Sequence, residues 1–255
     1  MSQKKHNKHD LEVSKLNKLF ARGVSNESIK KGLLVLKEFP RSYILHNIIG
    51  LAYTANARFD KAEDHYKKSI KLNPKSSLTF ENYGNLLKTI GRIEGAIDNY
   101  KKSINLNPKN YKGLNNLAIT LMGEELFHEA IKVLNKAINI NSKNYLAHLN
   151  MGNIYKDLDL NFEAIKHYQL ALSDNENHIG LRNNLGLVLV RERRYEEALK
   201  HYLFLIKSDP ENIRGLTNIS SLYRNTGRLK KSLEYIERAR LLNKEKELEE
   251  ELYLN

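Results

Sequence analysis

The sequence predicts an all-α solenoid, in which helical hairpins of one design stack one after another along the chain. A fixed period carries this prediction, because Pro40, Pro74 and Pro108 are evenly spaced and Pro210, the remaining proline, lies three such steps further on. Within each period, apolar residues recur at helical spacing in two runs that are separated by a turn. A fixed period of this length is typical of stacked supersecondary units.

Residues 77–110 show the unit most clearly. The apolar and small residues of its two predicted helices are Phe80, Tyr83, Gly84 and Leu87 in the first, and Ile93, Ala96, Ile97, Tyr100 and Ile104 in the second. Gly91 lies between the two runs and marks the turn. The second run stops at Pro108, because proline disfavours helix in the residue before it and lacks the amide that a helix interior needs.

Small and large residues occupy fixed slots in the copies. The Gly84 slot holds Gly50, Ala118, Gly152, Gly186 and Ser220, and the Ala96 slot holds Ala62, Ala130, Ala164, Ala198 and Ser232. The Tyr100 slot holds Tyr66, Leu134, Tyr168, Tyr202 and Ile236. Small residues let two helices approach closely, so we expect the large side chains to fill the space beside them.

This pattern resembles the tetratricopeptide repeat, a family of helical hairpins of about 34 residues with small, small, aromatic and proline slots. The resemblance implies a right-handed superhelical array. It covers residues 43–246 as six repeats, namely 43–76, 77–110, 111–144, 145–178, 179–212 and 213–246. Residues 9–42 are interpreted as a degenerate first repeat, in which Gly23 and Pro40 keep the register while Lys15, Leu16, Ser28 and Gly32 depart from the core slots.

The two ends of the chain lie outside the repeats. The polar, basic segment 1–8 is predicted to be a disordered tail, because it has no apolar core and no cleavage-site pattern. Residues 247–255 carry Leu248 and Leu252 on an acidic background and are predicted to form a capping helix over the last hairpin.

Composition excludes several classes of protein. The chain has no cysteine, so disulfides and thiolate metal sites are excluded. No apolar run is long enough to span a bilayer, and a cytoplasmic location without membrane partners is expected. The net charge is +12. It is spread along the helices without a ladder of exposed aromatic residues for stacking bases, so a nucleic-acid partner is not expected.

The first helix of each hairpin carries the candidate site. At 100° per residue, its face opposite the packed side includes one uniform slot, the asparagine ladder, which consists of Asn82, Asn116, Asn150, Asn184 and Asn218. A carboxamide offers both a donor and an acceptor, so the ladder could hold a peptide backbone whatever its side chains, or could instead bond a neighbouring helix. The resemblance implies that first helices line a concave groove for extended peptides, as in the repeat arm of O-linked N-acetylglucosamine transferase.

Cations surround the ladder. The positive residues predicted on this face and its flanks are Lys88, Lys112, Lys156, Arg191, Arg214 and Arg224, against Glu81 and Asp157. A groove of this sign favours acidic segments. The carboxylate clamp of heat-shock co-chaperones in the family needs a lysine in the Glu81 slot and an arginine in the Asn82 slot, so that role is not expected here.

Catalytic and metal motifs are not found. The sequence has no phosphate-binding glycine loop, no nucleophile elbow and no H-E-x-x-H helix, so no catalytic residue, metal ligand or cofactor is predicted. Asp157 and Asp159 have a spacing that some enzymes use for metal, but they fall in a predicted turn. His65, His167 and His201 share one repeat slot and are interpreted as surface residues.

The sequence therefore predicts a non-catalytic protein-interaction scaffold that binds an extended, acidic peptide. Two alternatives stay open. The repeats could be the substrate-recruiting arm of a glycosyltransferase, sulfotransferase or hydroxylase, or they could bind RNA. Self-association through the terminal repeats is a further open possibility, and the sequence does not name the partner.

Overall fold

The computed structural model describes the backbone of residues 3–253 and the side chains of residues 5–244, and within the described backbone no residue is in a β-strand. The helices of this range are α1 Gln3–Ala21, α2 Ser25–Glu38, α3 Tyr43–Ala55, α4 Phe59–Leu72, α5 Ser77–Thr89, α6 Ile93–Leu106, α7 Tyr111–Gly123, α8 Phe127–Ile140, α9 Tyr145–Asp157, α10 Asn161–Asp174, α11 Ile179–Arg191, α12 Tyr195–Ser208, α13 Ile213–Asn225 and α14 Leu229–Tyr253. The all-α prediction is confirmed.

The helices pair into the predicted hairpins, and the chain forms two compact units. The first unit, Met1–Ile140, contains α1–α8, and the second, Asn141–Asn255, contains α9–α14. Inside each unit, the second helix of one hairpin packs against the first helix of the next, as α4 does against α5 and α10 against α11. Each hairpin therefore buries its apolar faces both within itself and against its neighbours.

A glycine on the first helix and a tyrosine on the second form the centre of most hairpins. A Cβ built on Gly84 would lie 2.8 Å from Tyr100 Cε1, and one built on Gly186 would lie 2.4 Å from Tyr202 Cε1. Tyr66, Tyr100, Tyr168 and Tyr202 are among the largest fully buried side chains. The small slot is therefore small because a tyrosine ring occupies the space that a side chain would need.

In the first repeat, the large and the small residue of this pair have exchanged slots. Leu16 stands in the glycine slot and is 2% exposed, while Gly32 stands in the tyrosine slot and is also buried. Ile49 of the next repeat fills part of the space left at Gly32, because a Cβ there would lie 2.7 Å from Ile49 Cγ1. The departures seen in the sequence at these positions thus preserve a packed core.

The turn inside every hairpin has a left-handed residue in the same slot. The residues with positive φ are Gly23, Ala57, Gly91, Glu125, Asp159, Arg193 and Gly227, at φ values between 54° and 77°. Four of the seven are not glycine and accept the conformation at some cost in free energy. The turn geometry is therefore set by the hairpin and not by glycine alone.

Capping fixes where each first helix begins. The side chains of Ser42, Ser76, Asn110, Asn144, His178 and Asn212 each accept a hydrogen bond from the backbone N–H three residues later. These residues follow one another at the repeat interval, so the cap is part of the repeat. It starts the first helices of the six repeats of 43–246 at the same point and places the ladder asparagines in register.

The prediction of a disordered N-terminal tail at 1–8 is wrong for the described residues, because α1 begins at Gln3. Lys8 Nζ lies 2.7 Å from Glu38 Oε1, and the Lys5 ammonium lies 5.9 Å from the centre of the Phe39 ring. Residues 3–8, whose composition suggested disorder, are therefore helical and contact the end of α2. Residues 1 and 2 lie outside the described backbone.

The segment 247–255, predicted as a capping helix, is helical as far as Tyr253, and it forms the end of α14, which continues without a break from Leu229. The segment after Asn243 is rich in glutamate, lysine and leucine, which are strong helix formers, and contains neither glycine nor proline to end the helix. The side chains of Leu248 and Leu252, expected to cover the last hairpin, lie outside the described residues, as do residues 254 and 255.

Candidate peptide-binding face

In the first unit, the asparagine ladder bonds from one first helix to the preceding one. Asn82 Nδ2 donates to Asn47 Oδ1 at 3.0 Å, and Asn116 Nδ2 donates to Asn85 Oδ1 at 3.3 Å. Asn82 is buried at 8% exposure, whereas Asn116 is half-buried. The amide groups therefore link successive repeats.

The second unit has the same arrangement. Asn184 Nδ2 donates to Asn153 Oδ1 at 3.1 Å, and Asn218 Nδ2 donates to Asn183 Oδ1 at 2.7 Å. Both donors are half-buried. Asn150 is buried, and its Nδ2 has no hydrogen-bond partner among the residues that the structure describes.

The ladder is thus less exposed than the sequence predicts. Helical periodicity places these asparagines opposite the side that packs within their own hairpin, but it says nothing about the next hairpin. The first helices of consecutive repeats contact one another, as α3 does with α5 and α11 with α13, and the ladder lies in those contacts. Each carboxamide still has a second N–H that the inter-repeat bond does not use, together with an oxygen.

Two further asparagines, absent from the predicted site, organise the ladder. Asn85 Oδ1 accepts from Tyr100 Oη at 2.7 Å as well as from Asn116, and Asn153 Oδ1 accepts from Tyr168 Oη at 2.8 Å as well as from Asn184. The buried tyrosine thereby orients an acceptor for the next repeat. The sequence does contain a signal for them. Asn153 repeats Asn85 two repeats later, and each lies at the same distance before its tyrosine, Tyr168 or Tyr100.

The two cations predicted for the site in the first unit have no ion-pair partner among the described residues. Lys88 and Lys112 form no salt bridge within 4 Å among the described residues, and Lys88 is half-buried while Lys112 is exposed. Burial lowers the pKa of Lys88. Glu81, predicted as a nearby negative charge, accepts a hydrogen bond from Asn110 Nδ2.

The cations of the second unit divide into two groups. Lys156 Nζ lies 3.1 Å from Asp157 Oδ1, and Arg191 Nη1 lies 3.1 Å from Asp159 Oδ1. Arg214 and Arg224 are without an ion pair in the described part of the chain, and both are exposed. Neutralised cations attract an acidic ligand less than free ones, so Arg214 and Arg224 are the stronger candidates.

The turn containing Asp157 and Asp159 does not gather metal ligands. Asp159 is the left-handed residue of its hairpin turn, and both carboxylates are paired with cations. In the described residues, no group of three or more histidine, aspartate or glutamate side chains could hold a metal ion.

The histidines interpreted as surface residues lie between the two helices of their hairpins. His65 is half-buried with its Nδ1 3.1 Å from His46 Nδ1, and His167 is half-buried with its Nδ1 3.0 Å from His148 Nδ1. His201 is also half-buried, and its Nδ1 lies 3.4 Å from Arg182 Nη1. The surface interpretation is wrong, because this slot of the second helix faces the first helix of the same hairpin.

A cavity of about 560 Å³ at the start of the first unit was not foreseen from the sequence. It is lined by residues of α1 and by the link from α2 to α3, including Lys5, His9, Phe39 and Tyr43. His9 contacts Phe39 edge to face, with 5.1 Å between ring centres. This cavity was not foreseen because the sequence predicts a disordered tail where α1 begins.

No described helix combines the length and the low polarity that a membrane crossing requires.

Family models decide the classification. Models described as tetratricopeptide repeat match residues 43–76, 79–110 and 183–245, and one described as TPR repeat matches residues 127–159, so that together they cover more than half of the chain. This chain belongs to the tetratricopeptide repeat family. The comparison with curated proteins gives no significant match.

Solved structures agree with this tetratricopeptide repeat fold. MamA is 27% identical, with a TM-score of 0.60, over 64% of this chain and 95% of its own. YrrB, described as a TPR protein with an unusual peptide-binding site, is 23% identical, with a TM-score of 0.60, over 69% and 91%. A tetratricopeptide repeat protein from Parabacteroides merdae is 14% identical, with a TM-score of 0.67, over 96% of both chains. The last two likenesses concern the fold alone.

Proposed function

We propose that this protein is a non-catalytic interaction scaffold whose first-helix faces bind extended, acidic peptide segments. Its tetratricopeptide repeats and its likeness to MamA and YrrB support a protein-interaction scaffold. The acidic preference depends on one observation: Lys88, Lys112, Arg214 and Arg224 carry positive charge that no described carboxylate neutralises within 4 Å.

The asparagine ladder is the reason for proposing that the bound peptide is extended. A peptide in extended form offers N–H and C=O groups at regular intervals, and the unused N–H and the oxygen of Asn116, Asn184 and Asn218 can pair with them. These three side chains are half-buried and so retain some access to solvent. Because a carboxamide pairs with backbone, this contact tolerates many peptide sequences.

The cations supply selectivity. Accessible charges around a binding face mainly raise the association rate and reject ligands of the same sign, and they act less on the lifetime of the complex. Lys112, Arg214 and Arg224 are exposed, and all three fit this role. YrrB, whose description mentions a peptide-binding site, shares the fold, which is consistent with the proposal without identifying a ligand here.

The test measures peptide binding by fluorescence anisotropy with short glutamate-rich and lysine-rich peptides of equal length. The glutamate-rich peptide should bind more tightly, and the triple variant Lys112→Glu, Arg214→Glu, Arg224→Glu should slow its association by roughly tenfold or more at low salt. The matched control is Lys101→Glu, Lys136→Glu, Lys207→Glu, which makes the same charge change on exposed positions of the second helices.

Two results would overturn the proposal. The first is equal binding of the two peptides to the wild-type protein. The second is an equal loss in the control variant, since this would assign the effect to net charge and not to the first-helix face. Tight, salt-sensitive binding of an RNA oligomer with no peptide binding would favour the RNA alternative.

A further inference from the structure

Two hairpins, one in each unit, contain the same pair of histidines. His46 on α3 faces His65 on α4, with 3.1 Å between the two Nδ1 atoms, and His148 on α9 faces His167 on α10, with 3.0 Å between theirs. The two pairs occupy the same slots of their repeats, three periods apart in the sequence. Both units thus hold one local arrangement.

The surroundings of the two pairs also match. His148 Nε2 donates to the backbone carbonyl of Ser142 at 3.1 Å, and the backbone of Pro40, which stands in the Ser142 slot, acts to raise the pKa of His46. A tyrosine ring lies against the second histidine in each hairpin, with 5.5 Å between the centres of Tyr53 and His65. The distance between the centres of Tyr155 and His167 is 5.4 Å.

The hydrogen bond at His148 is of the kind that orients a metal-ligating histidine. The hydrogen of His148 lies on Nε2, which donates to the backbone carbonyl, so Nδ1 has a free lone pair that points at the partner ring. Two nitrogens at about 2.0–2.1 Å from one tetrahedral ion are about 3.3 Å apart. The observed separations of 3.0 and 3.1 Å are shorter by a few tenths of an ångström, so an ion would move the two rings slightly apart and turn both Nδ1 atoms toward itself.

We propose that each of these histidine pairs binds one divalent transition-metal ion of the class that prefers imidazole, namely Zn²⁺, Ni²⁺ or Cu²⁺. The hydrogen that the Nδ1 atoms share in the free protein moves to the outer nitrogen of His65 or His167 when the ion enters, so both Nδ1 atoms become ligands. Two coordination positions of a tetrahedral ion are left for water or for a side chain of a bound partner.

Protonation state and access both favour this assignment. Burial, with help from the neighbouring histidine and lysine, lowers the pKa of His65 and that of His167 to about 4, so both rings are neutral at physiological pH. Neutral imidazole is the form that binds metal. His46 and His148 are 7% and 5% exposed, whereas their partners His65 and His167 are half-buried and so are partly accessible to solvent.

The other hairpins provide the control substitutions. At the two positions of the pair, the repeat at 77–110 has Phe80 and Asn99, which pack in an otherwise equivalent hairpin. The test variant is therefore His46→Phe, His65→Asn, His148→Phe, His167→Asn, and each pair is also changed alone. His201→Asn removes a histidine from the same slot where the partner is Arg182.

Isothermal titration calorimetry of the full chain without an affinity tag measures the number of ions bound, with Zn²⁺ and Ni²⁺ as probes and Mg²⁺ as the negative control. The wild-type protein should bind two more Zn²⁺ ions per chain than the fourfold variant, and each pair variant should lose one. His201→Asn should lose none, and surface histidines such as His6 and His128 contribute equally to every variant.

Equal Zn²⁺ stoichiometry in the wild-type and fourfold variants would overturn the proposal, as would the absence of any Zn²⁺ binding by the wild-type protein. If the fourfold variant fails to fold, nitrogen NMR of the wild-type histidines decides the matter. Zn²⁺ should then shift the Nδ1 resonances of His46, His65, His148 and His167, and unchanged resonances at saturating Zn²⁺ would exclude the sites.

Discussion

The ring of Tyr168 occupies the space beside Gly152, so that a Cβ built on this glycine would lie 2.5 Å from both Cδ1 and Cε1 of the ring. Tyr168 is fully buried, and its hydroxyl donates to Asn153. The ring therefore has little room to move. Where glycine is replaced in the six repeats of 43–246, the partner changes too, because Ala118 stands with Leu134 and Ser220 with Ile236.

Gly152→Ala should destabilise the protein by about 1–3 kcal/mol in chemical denaturation, because the methyl group overlaps a buried ring. Tyr168→Leu should lower the free energy of unfolding less in the Gly152→Ala variant than in the wild-type protein. The hairpin with Ala118 and Leu134 already packs this combination of residues. The control is Gly123→Ala, where no atom lies within 4 Å of the new Cβ. If the two changes lower the free energy of unfolding additively, the proposed overlap between residue 152 and the Tyr168 ring is contradicted.

Arg193→Gly should stabilise the protein by about 0.5–1 kcal/mol, because Arg193 has φ of 58° and glycine adopts this conformation without strain. The reverse change in the same slot, Gly91→Ala, should destabilise it, although a Cβ there meets no atom within 4 Å. Denaturation midpoints measure both. A neutral Gly91→Ala would show that backbone strain is not the cause.

Asn184→Ala should lower the free energy of unfolding by about 0.5–1.5 kcal/mol, because it removes the bond to Asn153 Oδ1 while Tyr168 still donates to the same oxygen. Asn225→Ala, in an exposed position of α13, is a suitable control. The measurement is chemical denaturation together with peptide affinity. A loss of affinity without loss of stability would make the ladder a binding element alone.

Acid should destabilise the folded chain between pH 6.5 and about 4, measured with a chelator present. The folded-state pKa of His65 and of His167 is lowered from 6.5 to about 4, mainly by burial, so the unfolded state binds more protons in this range and stability falls as pH falls. Lys68 and Lys166 oppose protonation, and Asp64 favours it at His65. His65→Asn with His46→Phe should flatten the profile, whereas an unchanged slope would contradict this origin.

The hairpins were predictable because their contacts are internal to one period. The glycine and tyrosine slots lie on the two helices of a single hairpin, and helical spacing with one short turn brings them to one interface. The burial of Asn82 was not predictable in this way, since its partner Asn47 belongs to the preceding repeat and depends on how hairpins pack. Residue spacing within a helix carries no information on that packing.

The histidine pairs were missed for a related reason. In the sequence, only histidines of the same slot were compared, and these lie in different repeats and are too far apart to meet. His46 and His65 belong to different slots and meet across one hairpin. The start of α1 was missed because Lys8 and His9 acquire their contacts only from Glu38 and Ser42, about one period later in the chain.

The pairing of Gly152 with Tyr168 has a consequence for how such a chain changes in length. Both partners of this contact lie within a single repeat, as do both histidines of each pair. A gene duplication or deletion of one whole repeat therefore copies or removes matched partners together, whereas exchange of half a hairpin between repeats would combine Ala118 with a tyrosine. We therefore expect recombination at the links between hairpins to keep the buried contacts intact, and recombination inside a hairpin to disrupt them.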